Sequence, residues 1–129
     1  MGRVTKACIA FALLLIGVAE AAETHNTIPV RFRGTWASSA AHCVAPGAES
    51  RLTIRESTID FYESRGRVLA IATDGDAHLA LLVESSGEGM TWLGAREFEL
   101  SGNHQTLTDV TGRRRGLARH RCPTAATAG

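Results

Sequence analysis

From Arg51 to Cys122 apolar and polar residues alternate in short runs, each bounded by a turn signal. Arg51-Leu52-Thr53-Ile54-Arg55 has the two-residue period of a half-buried strand. Ile59-Asp60-Phe61-Tyr62-Glu63 continues with β-branched and aromatic residues, and Ser64-Arg65-Gly66 reads as a turn. Arg67 to Thr73 is a more evenly apolar strand, followed by Asp74-Gly75-Asp76, an aspartate–glycine hairpin signal. In Ala77 to Glu84, Leu79, Leu81 and Val83 fall on one face and Ala80 and Leu82 on the other. Ser85 to Gly89 is a further turn, and Met90 to Leu100 is one bent strand or two short ones. Ser101-Gly102-Asn103 turns into Gln105 to Thr111; Gly112 turns again, and Arg115 to Cys122 is the last strand.

Ahead of this meander, Val30 to Ala37 reads as the first strand, with Gly34 as a bend or a site of close approach. Glu23 to Ile28 is a polar, flexible lead-in, and Ser38 to Ser50 is a loop with room for a helical turn near Ser38–His42. The small residues from Pro123 to Gly129 read as a disordered tail. About eight short strands at roughly ten-residue spacing predict an all-β fold, a barrel or sandwich. The connections are too short for helical crossovers, so the pairing is expected to be antiparallel.

Residues 1–21 stand apart from this pattern. Arg3 and Lys6 precede an apolar run from Ala7 to Ala19, and Ala19-Glu20-Ala21 has the small-x-small form of a secretory cleavage site, with the cut after Ala19 or Ala21. The run is shorter than the roughly 20 residues of a membrane span. We therefore expect a signal peptide, a single domain over 22–129, a periplasmic or secreted location, and no stable membrane insertion after cleavage.

Cleavage leaves two cysteines, Cys43 and Cys122, in a chain bound for an oxidising compartment, and we expect them to be bonded; a free or metal-bound pair is the rival. Losing Arg3, Lys6 and Glu20 leaves 12 arginines, no lysine and 12 acidic residues. The balance is uneven along the chain: five of the arginines, and no acid, lie from Arg113 onward.

Gly34-Thr35-Trp36 on the first strand of such a meander resembles the opening of the lipocalins and their calycin relatives. In that family the tryptophan sits at the closed end of an up-and-down barrel, under an arginine from the final strand. The resemblance thus implies a small antiparallel β-barrel of about eight strands, with Gly34, Trp36 and either Arg119 or Arg121 as its structural signature. The chain also resembles small exported bacterial proteins with Gly-Thr-Trp-Ala early, Phe-Tyr-Glu-Ser mid-chain and an Arg-x-Arg-Cys-Pro end.

Signals for chemistry are sparse. There is no Gly-x-Ser-x-Gly, His-Glu-x-x-His, Cys-x-x-Cys or Gly-rich phosphate loop, so no catalytic residue, metal or cofactor is expected. His25, His42, His78, His104 and His120 are scattered singly, and Asp74 and Asp76 read as turn residues rather than calcium ligands. Glu97 and Glu99 share a face opposite Phe98 and Leu100, as on a solvated strand face. The least ordinary feature is Arg113-Arg114-Arg115 between two glycines, which could hold an anion or an acidic protein face. Nucleic acid is an unsuitable partner for a near-neutral chain with few aromatics beside its arginines. The expectation is a monomeric exported binding protein, holding a small apolar ligand or contacting a protein as an inhibitor would. The alternative is a hydrolase or isomerase with its site in the barrel mouth.

Overall fold

The structure, a computed structural model, describes residues 22–124. The leader expected over 1–21, and most of the tail expected from Pro123, lie outside the described residues. Nine strands form one sheet: β1 (Glu23–His25), β2 (Gly34–Ala37), β3 (Leu52–Ile54), β4 (Thr58–Asp60), β5 (Arg65–Asp74), β6 (His78–Gly87), β7 (Met90–Leu100), β8 (Thr106–Asp109) and β9 (Ala118–Arg121). From β2 to β9 each strand pairs antiparallel with the next, and β9 returns to β2, so eight of them close a barrel. Closure removes the unpaired strand edges that an open sheet of this length would expose.

Local chemistry explains how the ring is drawn. Glu88 and Gly89, with φ of 50° and 76°, connect β6 to β7, and positive φ at both turn positions matches the right-handed twist of the hairpin. Gly75, at φ 61°, turns β5 into β6. A bulge between Val68 and Ala70 bends β5, so that Arg65–Arg67 pair with β4 while Ile71–Thr73 pair with β1.

Several local expectations need correction. Glu23 to His25 is strand β1 rather than a flexible lead-in. Val30–Phe32 is a 3-10 turn, closed by Phe32 N–H on Pro29 O and Arg33 N–H on Val30 O, and the strand starts at Gly34. The chain must cross the barrel floor before it can join the wall. Arg65, Gly66 and Ser85–Gly87, expected as turns, extend β5 and β6 because each faces a partner strand in register. The helical turn lies two residues later, as α1 (Ala40–Val44), where Ser39 Oγ caps the N–H of His42.

Alternation points one face of every strand into the barrel. Leu52, Ile54, Ile59, Leu79, Leu81, Val83, Phe98, Leu100 and Leu107 are all 3% exposed or less, with Phe61 and Val68 packed against them. Gly66 belongs to this layer, since a Cβ there would lie 2.5 Å from Val83 Cγ1 and 2.7 Å from Ile59 O. The barrel is therefore filled. Outside the wall, α1 covers Ala37, and Cys43 on α1 is bonded to Cys122 just past β9, with Cα atoms 5.6 Å apart. The pair staples the helix over the seam between first and last barrel strands.

Candidate functional site

Strand direction sorts the connections onto two ends. The 28–33 segment, the turn after β3, the β5–β6 turn and the β7–β8 loop form a floor. The β2–β3, β4–β5, β6–β7 and β8–β9 connections form a mouth.

The floor is sealed. Ile28, Phe32 and Trp36 are fully buried, and Trp36 Nε1 donates to Phe32 O at 3.1 Å. Trp36 and Arg121 face each other across β2 and β9, and Arg121 Cζ lies 4.2 Å from the tryptophan ring centroid. The same guanidinium donates to three main-chain carbonyls, those of Arg33 and Arg31 at 2.8 Å and of His104 at 3.0 Å. Burial lowers its pKa from the ordinary arginine value. Gly34 makes room for it: at φ 128°, a Cβ there would sit 3.1 Å from Arg121 Nη1. Of the two arginines open from the sequence, the structure places Arg121 on Trp36.

Arg119 does something else. Two residues nearer the mouth on the same inward face, it is 7% exposed and donates from Nε to Ser50 O at 2.7 Å. Desolvation lowers its pKa, Asp109 opposes that shift and Arg96 adds to it. Arg96 lies 3.7 Å from Asp109 Oδ2 and stacks 4.5 Å from the Phe61 ring centroid. Thus Arg119, Arg96 and Asp109 form a polar layer beside the apolar core.

The mouth opens into one cleft, and a second lies beside it on the outer wall. One, of about 370 Å³, is lined by Phe61, Tyr62, Met90, Trp92 and Arg96, with Glu49, Glu63 and Glu88 on its rim. The other, of about 500 Å³, lies across the Phe61–Ser64 loop against Ala48, Arg51, Thr53 and Asp60. Tyr62, Met90 and Trp92 are 48%, 66% and 42% exposed, large apolar side chains gathered at one end of the molecule.

The arginine triplet does not converge with the inward pair. Arg113 and Arg114 stand exposed on the β8–β9 connection, while Arg115 reaches the outer wall, 3.4 Å from Glu99. The other charged candidates also pair on the outside: His78 with Glu97 at 3.6 Å, and Arg55 with Asp60 at 2.6 Å. At the β5–β6 turn the main-chain oxygens of Gly75 and Asp76 accept from Arg31. Among the described residues no group of three or more His, Cys, Asp or Glu side chains is placed to hold a metal ion.

Two features carry no motif in the sequence. Arg96 has the parity of Phe98 and Leu100, and Asp109 that of Leu107, which was the available sign that both point inward. His42 Nδ1 and Ser50 Oγ share a hydrogen bond of 2.6 Å, and Ser50 Oγ also accepts from the N–H of Ser38 and from Ser38 Oγ. A serine oxygen so engaged, and 8% exposed, anchors the loop rather than offering a nucleophile. Comparison of the chain with protein-family models, with curated proteins and with solved structures found no match.

Proposed function

We propose that the protein is an exported, monomeric β-barrel binding protein that holds a small apolar molecule at the barrel mouth. The observation that carries this reading is the cleft of about 370 Å³ where Phe61, Tyr62, Met90 and Trp92 surround Arg96. Small-molecule sites are built this way, from aromatic walls and a few polar groups in a space of about 300–1,000 Å³. The filled core moves binding away from the barrel interior and up to its rim. Export to the periplasm or beyond is supported by the Cys43–Cys122 bond, since disulfides persist in oxidising compartments. Among the described residues no helix is long and apolar enough to cross a membrane. Gly34, Trp36 and Arg121 meeting at the floor support the calycin-like reading.

A second reading, contact with an exported protein as an inhibitor makes it, draws on the same rim: Tyr62, Met90 and Trp92 are exposed enough to serve as anchors. Catalysis is the weaker alternative, because the Ser50–His42 pair is held inside its own loop network. Native mass spectrometry of the protein purified without detergent, beside its Trp92→Ala variant, separates these readings. A small-molecule adduct that is lost in the variant supports the first, and a protein partner lost in the variant supports the second. If the unaltered protein carries neither, or the variant keeps what it carries, the mouth is not the binding site.

A further inference from the structure

Among the described residues, one buried side-chain nitrogen or oxygen lacks a hydrogen-bond partner, and it is Arg119 Nη1. Buried polar groups are nearly always paired, and an unpaired one needs a reason. Arg119 is 7% exposed, and its guanidinium, which always carries charge in proteins, spends only Nε on Ser50 O. The neighbouring charges do not complete it. Asp109 gives Oδ1 to the N–H of Thr111 at 2.9 Å and holds Oδ2 3.7 Å from Arg96. Asp109 is thus the one carboxylate acting on both guanidinium groups, which leaves one positive charge without a counterpart. Glu49, Glu63 and Glu88 are exposed on the rim, where water and salt screen them.

We infer that the mouth selects a small organic monoanion, a carboxylic acid on an aromatic or aliphatic body, held through its carboxylate by Arg119 Nη1 and Arg96. The inference rests on the mouth being the ligand site and adds the chemical class. An excess of one charge suits a monoanion, whereas a phosphate dianion would overcompensate it. A planar carboxylate also matches the fork of donors that a guanidinium presents. Arg96 lines the cleft and Arg119, whose charge it feels, does not, so in this proposal the acid reaches Arg119 by displacing Arg96 from Phe61. Arg96 is free to swing: its contact with Asp109 is longer than a hydrogen bond and its side chain is 41% exposed. Phe61 and Trp92 then flank the apolar body.

The test is calorimetric titration of the intact protein with 1-naphthoate and with its neutral twin, 1-naphthamide, against Arg119→Gln, Arg96→Gln and the outer-wall control Arg115→Gln. Hydrogen bonds to charged groups make a preference of about tenfold or more for the acid the expected result. Arg96→Gln, on a partly exposed side chain, keeps the test valid if Arg119→Gln fails to fold. Loss of the preference in either inward variant, with Arg115→Gln unchanged, upholds the inference. Equal binding of acid and amide overturns it while leaving the mouth as a ligand site. A preference that survives in both inward variants, or is lost in Arg115→Gln, overturns it by placing the anion elsewhere. Binding of neither compound at millimolar concentration counts against the inference and the ligand-binding mouth together.

Discussion

The barrel floor depends on Trp36 and Arg121 as a unit, and taking them apart separates packing from charge. Trp36 is fully buried, and truncation to alanine leaves a cavity between Phe32 and Leu52 that the closed ring cannot collapse. Such a change costs about 3–5 kcal/mol. Domains have about 5–15 kcal/mol in total, so Trp36→Ala stands near the edge of folding. With a urea m-value of about 1.5 kcal/mol/M the unfolding midpoint falls by about 2–3 M. Arg121 contributes through the indole face and three carbonyl acceptors, partly open to water, and Arg121→Ala costs roughly 2–3 kcal/mol. Arg121→Lys recovers little of this, because one ammonium cannot reach all three carbonyls in the plane that the guanidinium spans. In a double-mutant cycle on urea midpoints at constant m-value, Trp36 and Arg121 should couple by about 0.5–2 kcal/mol, whereas Trp36 and Arg119 should add within about 0.5 kcal/mol. The reasoning fails if Trp36→Ala unfolds at the unaltered urea concentration, or if Arg119 couples to Trp36 as strongly as Arg121 does.

Further outcomes follow from single features of the fold. Arg119→Met removes a buried charge that has one hydrogen bond, so the urea midpoint should stay level or rise while binding of an acid is lost; a loss above about 2 kcal/mol would show that the charge is structural. Reducing Cys43–Cys122 opens a loop of 79 residues and should lower stability by about 4–5 kcal/mol, read as a fall in Tm with dithiothreitol. Two reactive thiols in the unfolded, unreduced protein would contradict that bond. Gly66→Ala should destabilise by about 2 kcal/mol or more, since the new methyl meets Ile59 backbone and Val83 together; an unchanged thermal midpoint would mean the β4–β5–β6 wall is looser than described. Gly34→Ala should lower the midpoint by at least about 1 kcal/mol, through its positive φ and its pressure on Arg121.

What the sequence by itself determined is what is written locally. The two-residue period of Leu79, Leu81 and Val83, and of Phe98 and Leu100, marks their inward face, and every one of them lies in the core. Asp74-Gly75 turns where it reads as a turn, because glycine alone takes φ 61° without a steric cost. The all-β class and the antiparallel pairing follow from the same short repeats, and Cys43 and Cys122 find each other.

Only the tertiary structure decided matters of register, because register is set by residues far apart in the chain. Arg119 and Arg121 share one strand face, and no local signal tells them apart. The pairing of Trp36 with Arg121 in β2 and β9 sends one arginine to the floor and leaves the other to be buried against Ser50 O. Ser85, Ser86 and Gly87 carry turn-like composition, yet they continue β6 because β7 offers a ladder partner to all three and β5 to Ser85 and Ser86. Glu23 to His25 becomes a strand since the bulge at Val68–Ala70 frees the far half of β5 to pair with it. The polar layer of Arg96, Asp109 and Arg119 depends on the registers of β7 with β8 and of β8 with β9, which no single segment writes.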